Sequence, residues 1–386
     1  MRKKIAVVFN RMIVGGAEKS LLNFLRAIDT ERYDVTLFTL NDKGAYFDEL
    51  PKDISIQFTA CENGRAQFFD DIKHFRISRL INGIYCRLMI RLCKDEYKKF
   101  SYALKSYPKF EGRYDCAIAY KLGIEDTATV LNRVDADKKI VWFHGALGDV
   151  LRNQSWLNRF LPKLQHVFCA SEDGKKQLDQ IFPKQKHKTQ VFYNLLYAHE
   201  IIEKAEEQIN FSLCNTAIVT VGRLGTEKGQ AMIPKTTRLL LDAGYDIYWY
   251  IVGDGDQREA IEAEIQKYDV VDRVIQLGTQ MNPYPYIKNC DIYVQTSLSE
   301  GWGLTVQEAR ILQKPIVTTP LPVMHEQIVS GENGLIAEAV TPEALAESIQ
   351  QLLDHPELRE KFVENLSHEV CDNSGELQKL YDFIEG

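Results

Sequence analysis

The sequence has 386 residues, of which 45% are apolar and 26% are charged. This length predicts two domains of about 150–200 residues each, and the composition excludes a disordered or fibrous chain. No run of about 18 apolar residues occurs, which excludes a membrane-spanning helix. The eight cysteines are scattered without a CxxC pair, which argues against a zinc site and a disulfide framework and predicts a reducing, cytoplasmic location.

The net charge of −7 is distributed unevenly along the chain. Residues 1–200 carry 33 Lys and Arg against 24 Asp and Glu, whereas residues 201–386 carry 14 against 30. A basic half joined to an acidic half predicts two domains with different partners; a solvated surface without a specific partner is the alternative. The acidic total and the lack of a recognisable nucleic-acid-reading module argue against nucleic-acid binding.

Short apolar runs alternate with longer helical patterns along almost the whole chain. The predicted strands are, in chain order, Ile5–Phe9, Val35–Leu40, Cys116–Tyr120, Ile140–Phe143, His166–Ala170, Ala217–Val221, Ile247–Val252, Val274–Leu277, Ile292–Gln295 and Ile316–Thr318. The clearest helical patterns between them are Ala17–Ala27, Gln257–Tyr268, Val306–Leu312 and Pro342–Leu353. Thr341 before Pro342 predicts an N-cap. Alternation of this kind predicts parallel sheets with helices on both faces.

A polar, Glu-rich stretch at residues 199–215 interrupts the alternation and predicts the connection between the domains. We expect an N-terminal domain at residues 1–200, a C-terminal domain at residues 201–370, and a helix at residues 371–386 that packs back towards the N-terminal domain. The expected fold class is α/β, with two doubly wound, Rossmann-like parallel sheets facing a cleft. Ligands bind at the carboxyl ends of the strands in such sheets.

A glycine-containing loop with two glutamates follows the predicted strand Ile292–Gln295 and opens the next helix. Gly301 and Gly303 allow a ligand to approach the backbone closely, and the helix N-terminus presents free N–H groups to an anion. Glu300 in the loop and Glu308 in the helix could bind two separate hydroxyl-bearing groups of one extended ligand. A glycine-rich turn with a surface glutamate is the alternative interpretation.

A second loop, Gly222–Gly229, follows the strand Ala217–Val221 and carries two cations in the strongly acidic half of the chain. Arg223 offers a bidentate fork and Lys228 a point charge, a combination that suits a diphosphate. Together the two loops predict a ligand site at the carboxyl ends of these strands.

These loops, with Gly253-Asp-Gly255 and the Glu300-x7-Glu308 pair, resemble the motifs of retaining glycosyltransferases of the GT-B fold, in the large group 1 family with paired glutamates. The resemblance covers the C-terminal half of the chain. In the other half, Gly15-Gly16-Ala17-Glu18 is similar to the N-terminal glycine loop of the family. His144, after a strand, is similar to a family histidine. The match in this half is looser, as expected of a domain that binds a variable acceptor.

The resemblance implies a role for each matching residue. Arg223 and Lys228 would hold the donor diphosphate and stabilise the leaving group, while Glu300 would contact the sugar and Glu308 the ribose. Backbone N–H groups of Gly303 and Leu304 would bind phosphate or sugar. His144 would bind sugar or phosphate across the cleft, and the implied catalytic residues are Glu300, Arg223, Lys228 and His144. The remaining donor-binding positions are the glycines Gly15, Gly16, Gly222, Gly253 and Gly301.

The expected activity is transfer of a sugar, with retention, from a nucleotide sugar with UDP as the expected nucleotide. The expected acceptor is a saccharide, a lipid-linked intermediate of surface or capsular polysaccharide. No cofactor and no bound metal are expected, because cationic side chains and helix dipoles serve the diphosphate. A sugar-nucleotide epimerase of the same fold and a non-catalytic partner of an active transferase are the alternatives.

Two other motifs point to different chemistry. Asp254-Gly-Asp256 has the DxD form of metal-dependent transferases, but it lies in a turn after a strand, and we interpret it as that turn. A dinucleotide-binding oxidoreductase is disfavoured because the loop after the first strand has no GxGxxG motif.

Residues 73–99 hold eight Lys and Arg against two acidic residues. A helix there would place Ile77, Leu80, Ile81, Ile84, Leu88 and Leu92 on one stripe. It would place a basic row beside that stripe, formed by Arg76, Arg87, Arg91, Lys94 and Lys98. Such a pattern is typical of a helix at an anionic membrane surface and predicts binding of the membrane or of a polyprenyl-diphosphate-linked acceptor. A helix packed in the core with a solvated edge is the alternative.

Overall fold

The computed structural model describes residues 2–9, 15–39, 46–58, 110–209, 216–369 and 373–386, together with scattered positions between 84 and 104. The chain divides into two compact units. Unit 1 comprises residues 1–170, 174–195 and 373–386, and unit 2 comprises residues 171–173 and 196–372. The change from unit 1 to unit 2 after residue 195 lies five residues before the expected boundary at 200.

Unit 1 is built on a sheet of seven parallel strands in the order β3-β2-β1-β4-β5-β6-β7. The strands are β1 Lys3–Val8, β2 Tyr33–Thr39, β3 Ser55–Phe58, β4 Arg113–Ala119, β5 Asp135–Phe143, β6 His166–Cys169 and β7 Thr189–Val191. The chain order reverses direction between β1 and β4, where Ile5 pairs with Cys116 on one side and with Val35 on the other.

Both faces of this sheet are buried. Along β1, Ile5 and Val7 enter one hydrophobic cluster while Ala6 and Val8 enter another. Because successive side chains of a strand point to opposite faces, the two clusters lie on opposite sides of the sheet. The helices of this part of the chain are Gly16–Ala27, Ile124–Arg133, Leu147–Phe160, Glu172–Ile181 and Glu376–Glu385. The last of them packs four buried side chains against the first cluster: Leu377, Leu380, Tyr381 and Ile384.

Unit 2 contains a sheet of six parallel strands in the order β10-β9-β8-β11-β12-β13. The strands are β8 Thr216–Val221, β9 Ile247–Val252, β10 Val274–Gly278, β11 Ile292–Gln295, β12 Ile316–Thr318 and β13 Leu335–Ile336. Here the order reverses between β8 and β11. The loops after these two strands therefore lie side by side at the carboxyl ends of the strands.

The helices of unit 2 cover its sheet, and the three predicted from the sequence, Gln257–Tyr268, Val306–Leu312 and Pro342–Leu353, lie close to observed helices. The observed helices are Ala198–Lys204, Ile233–Asp242, Arg258–Lys267, Tyr284–Asn289, Leu304–Ile311, Pro342–Asp354 and Pro356–Ser367. Thr341 is the predicted N-cap, and its hydroxyl accepts a hydrogen bond from the Ala344 amide at 3.2 Å. A capping hydroxyl satisfies one of the amides that a helix leaves unpaired at its start.

The two doubly wound parallel sheets confirm the predicted fold class, and each of the predicted strands corresponds to an observed one. Three strands were not predicted: β3, β7 and β13. They are only four, three and two residues long and lie at the edges of the sheets. An edge strand this short carries too few apolar positions to show a period in the sequence. Among the described residues, no helix is long and apolar enough to cross a membrane.

Candidate active site

The loop after β8 lies against the loop after β9. Gly253 has a φ of +143°, and a Cβ at this position would lie 2.0 Å from the carbonyl oxygen of Gly222. No side chain larger than hydrogen fits such a contact, so Gly253 permits the close approach of the two backbones. The amide of Gly222 also donates to the Val252 carbonyl at 3.0 Å. The predicted donor-binding glycines 222 and 253 therefore meet.

The same loop also lies against the end of β11. Gly229 is left-handed, with a φ of +64°, and a Cβ there would be 2.2 Å from the carbonyl oxygen of Thr296. The Thr296 hydroxyl donates to the Lys228 carbonyl at 2.8 Å. The carbonyl of Glu227 accepts hydrogen bonds from the amides of Leu298 and Ser299. These contacts hold the cation-bearing loop beside the glutamate-bearing loop.

Lys228 and Glu300 form the central contact of the site. The ammonium Nζ of Lys228 lies 2.7 Å from Oε1 of Glu300, although 72 residues separate them in the chain. The Lys228 side chain is 24% exposed and that of Glu300 only 6%. A charged pair that is mostly shielded from water interacts more strongly than one on the surface. The structure therefore brings together two of the residues to which the resemblance assigns a role.

Arg223 lies on the same loop but is bound elsewhere. Its guanidinium pairs with the carboxylate of Glu227 at 2.5 Å, with side chains 65% and 39% exposed. Burial alone would raise the pKa of Glu227, but hydrogen bonds from a backbone amide and from Arg223 outweigh it and lower that pKa. Each of the two predicted diphosphate-binding cations thus has a carboxylate partner in this structure.

The helix Leu304–Ile311 begins directly after the glutamate-bearing loop. Its N-cap, Gly303, is left-handed with a φ of +88°. The amides of Val306 and Gln307 donate to the Gly303 carbonyl at 3.0 and 3.3 Å, which leaves those of Leu304 and Thr305 to bind an anion or a hydroxyl group. Gly301 lies in the loop before it and is partly exposed. Glu308, on the second turn, is 1% exposed, so contact with a ribose would require more exposure than this structure gives it.

Several buried polar residues around Glu300 were not singled out from the sequence. Gln295 ends β11 and donates from Nε2 to Oε1 of Glu300 at 2.9 Å. Its own Oε1 accepts a hydrogen bond from the Tyr293 hydroxyl at 2.8 Å. The one sequence signal was a polar residue at the carboxyl end of an otherwise apolar buried strand, the position where ligand-binding residues of parallel sheets lie.

In unit 1, His144 follows β5, as predicted, and its ring centroid lies 5.1 Å from that of Tyr120. Burial lowers the pKa of His144 to about 4, so the imidazole is neutral near pH 7. Its Nε2 is buried and has no hydrogen-bond partner among the described residues. A buried nitrogen of this kind is uncommon in folded proteins and is suited to a ligand.

A polar network that the sequence analysis also missed lies near His144. The Ser20 hydroxyl donates to Oδ1 of Asn194 at 2.6 Å and lies 2.9 Å from the Tyr120 hydroxyl. Ser20 belongs to the helix Gly16–Ala27, which starts at the predicted glycine loop. Gly15 is extended, and a Cβ on it would lie 2.4 Å from a carboxylate oxygen of Glu18. Gly16 is the first residue of the helix and is exposed.

The predicted basic row lies only partly within the described residues. Arg76, Arg87 and Lys94 lie outside them. Arg91 and Lys98 are helical and exposed.

The DxD motif is occupied by contacts of its own turn. Asp254 accepts a hydrogen bond from the Gly255 amide at 2.8 Å and pairs with Arg258 at 3.2 Å. Within the part of the chain that the structure describes, no three His, Cys, Asp or Glu side chains are grouped as metal ligands would be. Activity without a bound metal stays a prediction.

The chain is similar to known glycosyltransferases. Residues 202–368 match the family model of glycosyl transferases group 1. An N-acetylgalactosaminyltransferase of Campylobacter jejuni that acts on a diphospho-undecaprenol-linked sugar is 23% identical over 365 residues, 93% of each chain. The capsular polysaccharide glycosyltransferase CapM of Staphylococcus aureus is 26% identical over 172 residues, 44% of this chain and 45% of CapM.

The fold is also that of solved glycosyltransferases. Anabaena HepE, whose structure contains UDP and glucose, superposes with a TM-score of 0.71 at 16% identity, over 100% of both chains. The residues that match the family model include both loops of unit 2. The superposition with the solved structure covers both sheets. The chain is therefore similar to glycosyl transferases group 1 over residues 202–368, and its fold is GT-B.

Proposed function

We propose that this protein transfers a sugar from a UDP-sugar, with retention of configuration and without a bound metal, to a saccharide acceptor carried on a lipid. The observation that carries the proposal is the 2.7 Å contact between Lys228 and Glu300, at the edge where the loops after β8 and β11 meet. It combines a cation for a diphosphate and a carboxylate for sugar hydroxyls in one place.

The donor would lie along these loops. Arg223 is 65% exposed and only four residues from its carboxylate partner, so a diphosphate could take over its guanidinium by a local change of rotamer. Lys228 would bind the diphosphate while remaining near Glu300. The amides at the start of the helix Leu304–Ile311 would add partial positive charge. Together these groups supply the positive charge that a divalent metal provides in other transferases.

The chemistry needs stabilisation of a leaving group most of all. Cleavage of the sugar–phosphate bond develops positive charge on the sugar ring and negative charge on the departing nucleoside diphosphate. Fixed cations beside that diphosphate lower the barrier because they need no reorganisation as the charge develops. Glu300, with one oxygen held by Lys228, would orient the sugar through its other oxygen.

The acceptor is inferred from relatives and from charge. The Campylobacter jejuni relative acts on an undecaprenyl-diphosphate-linked sugar, and the Staphylococcus aureus relative belongs to capsular polysaccharide biosynthesis. An acceptor of this class carries a diphosphate and resides in a membrane. The excess of 33 basic over 24 acidic residues in residues 1–200 suits such an acceptor and an anionic membrane surface.

Donor binding is tested by a thermal-shift screen of sugar nucleotides that includes UDP-glucose and UDP-N-acetylgalactosamine. A ligand that binds the folded state raises the unfolding midpoint by mass action. Transfer or slow hydrolysis is then followed by release of UDP. Lys228→Ala and Glu300→Ala should each reduce kcat by about 100-fold or more, while the variant proteins remain folded.

Lys235→Ala is the matched control. It removes a lysine of the same unit, in the helix Ile233–Asp242, whose ammonium pairs with Glu343 at 2.5 Å on the surface. Its activity should stay within about twofold of wild type, since an exposed ion pair contributes little. Full activity of Lys228→Ala or Glu300→Ala would overturn the site assignment.

The two alternatives predict different products. A sugar-nucleotide epimerase would convert a labelled UDP-sugar into a new free sugar nucleotide, whereas a transferase attaches the label to an acceptor or releases it with UDP. A non-catalytic partner would do neither unless a second, active transferase were added. The ion pair of Lys228 and Glu300 favours the transferase, because both groups are retained and in contact.

A peripheral location on the inner face of the cell membrane also belongs to this proposal. Positions 84, 88 and 92 are helical and four residues apart, and their side chains, Ile84, Leu88 and Leu92, are 57%, 53% and 68% exposed. An exposed apolar stripe beside exposed Arg91 and Lys98 suits insertion into an anionic bilayer surface.

A further inference from the structure

Glu300 is held by more than its lysine. Oε1 of this carboxylate accepts three hydrogen bonds, from Lys228 Nζ at 2.7 Å, Ser297 Oγ at 2.7 Å and Gln295 Nε2 at 2.9 Å. None of the hydrogen bonds among the described residues engages its other oxygen, Oε2. One oxygen is therefore fixed by the protein and the other remains for a ligand.

The direction of the Gln295 amide follows from chemistry. A carboxylate can only accept, so the amide atom that faces Glu300 must be the nitrogen. The nitrogen uses its two hydrogens on Glu300 Oε1 and Ser297 Oγ, at 2.9 and 2.8 Å. The amide oxygen accepts from the Tyr293 hydroxyl at 2.8 Å and from the Thr305 hydroxyl at 3.2 Å.

This network is closed and shielded from water. Gln295 is 2% exposed, and Tyr293 and Ser297 are 0% exposed. Burial raises the pKa of Tyr293 well above its ordinary value, so the hydroxyl keeps its proton and donates. Both amide hydrogens and both lone-pair positions of Gln295 are used, and a fully satisfied buried network holds its members in one arrangement.

We propose that Gln295 is a positioning residue for sugar transfer, which fixes Oε1 of Glu300 so that Oε2 meets the donor sugar in a set orientation. Tyr293 and Thr305 act on Glu300 indirectly, because their hydroxyl groups hold the Gln295 amide in its orientation. The inference rests on the proposed function, since it assigns Glu300 to the donor sugar. Its consequence is that Gln295 affects turnover more than donor binding, because a misplaced carboxylate acts on the transition state.

The first test compares Gln295→Met with wild type in UDP release from UDP-glucose and UDP-N-acetylgalactosamine without acceptor. Methionine keeps the length of the side chain and removes the amide. We expect kcat to fall about tenfold or more while KM for the donor changes less than about threefold. Tyr293→Phe, which removes only the hydroxyl behind the amide, should lower kcat by a smaller factor.

The second test uses a pH profile, which loss of packing alone would not change. Gln295→Glu places a second carboxyl group beside Glu300, and two such neighbours cannot both ionise without cost. Lys228 Nζ lies 2.7 Å from Glu300, so the introduced carboxyl, which lacks such a partner, carries the shared proton and can then donate as the amide does. The ratio of variant to wild-type kcat should therefore rise at least about threefold as pH falls from 8 to 6.

Thr236→Val controls for loss of stability. It removes a buried hydroxyl of the same unit that donates to the Met232 carbonyl at 2.9 Å, and it should leave kcat within about twofold of wild type. If wild type is active and Gln295→Met matches it in kcat, or the pH profile of Gln295→Glu is parallel to that of wild type, the positioning role is overturned. If wild type neither binds nor cleaves any sugar nucleotide, the proposed function itself is overturned, and this inference with it.

Discussion

At the scale of single residues, the site depends on places where two backbones touch. Gly253 combines a positive φ with a carbonyl oxygen 2.0 Å from where a Cβ would be, so neither chirality nor space permits a side chain. The neighbouring atom belongs to the backbone of Gly222 and cannot rotate away. The loop that carries Arg223 is thus held in place through a glycine on another loop.

Gly253→Ala should destabilise the protein by at least about 3 kcal/mol, because strain and a backbone clash add. Gly244→Ala is the matched control, since Gly244 also has a positive φ, of +94°, but nothing lies within 4 Å of its Cβ position. It should cost only about 1 kcal/mol. Urea unfolding gives the free energy of unfolding of both variants. Equal losses of that free energy would show that the contact with the Gly222 carbonyl does not determine the effect at Gly253.

At the scale of elements, the helical positions 84, 88 and 92 differ from the C-terminal helix. The helix Glu376–Glu385 buries its apolar side chains against the core of unit 1, whereas Ile84, Leu88 and Leu92 remain more than half exposed. Exposed apolar residues in a row indicate an interaction surface more often than a solvated one. This exposure favours the membrane interpretation of residues 73–99 over the helix packed in the core.

Leu88→Gln combined with Leu92→Gln should reduce binding to vesicles that contain anionic lipid at least about fivefold, because apolar area no longer enters the bilayer surface. Neutralising Arg87, Arg91, Lys94 and Lys98 should reduce it as well, and the wild-type binding should weaken with salt. Cosedimentation measures all of these.

The charge control for this experiment removes the same number of exposed lysines elsewhere in unit 1, at Lys163, Lys176, Lys184 and Lys186. It should bind vesicles more tightly than the variant neutralised at 87, 91, 94 and 98. Wild-type sedimentation of the apolar variant and of the neutralised variant would mean that this segment does not contact the membrane.

At the scale of the whole molecule, buried histidines link stability to pH. Burial lowers the pKa of both His144 and His166 to about 4. In the unfolded chain a histidine titrates near its ordinary pKa of about 6.5. Between about pH 6.5 and pH 4 the unfolded state therefore binds more protons, so stability falls as pH falls through this window and levels off below it.

His166→Phe should reduce this acid sensitivity, because the ring that packs against Phe168 and Phe383 is then neutral at every pH. The drop in unfolding midpoint between pH 7 and pH 5 should be smaller than in wild type by about 2 °C. The His199 side chain is 96% exposed, so His199→Gln is the control. It should leave the drop in unfolding midpoint unchanged. An equal drop in His166→Phe would assign the acid sensitivity to other groups.

Much of this architecture could be predicted without coordinates. Strands such as Ile247–Val252 are runs of apolar, β-rich residues bounded by turns, and helix starts such as Thr341-Pro342 have local signals. The short edge strands β3, β7 and β13 have no such apolar run and were not predicted. The two loops that carry Arg223, Lys228 and Glu300 were found because glycines and charges follow strand ends in a recognisable spacing.

The sequence by itself determined most of the elements, the presence of two parallel sheets and the identity of the cation- and glutamate-bearing loops, because these depend on neighbours within a few positions of the chain. Only the tertiary structure decided that Arg223 pairs with Glu227, that Lys228 reaches Glu300 across 72 residues, and that Gln295 fixes the same carboxylate. The contact of Lys228 with Glu300 forms because strands β8 and β11 become neighbours in a parallel sheet. The other two contacts depend on the conformation of their own loops, and no local period in the sequence encodes which side chains then meet.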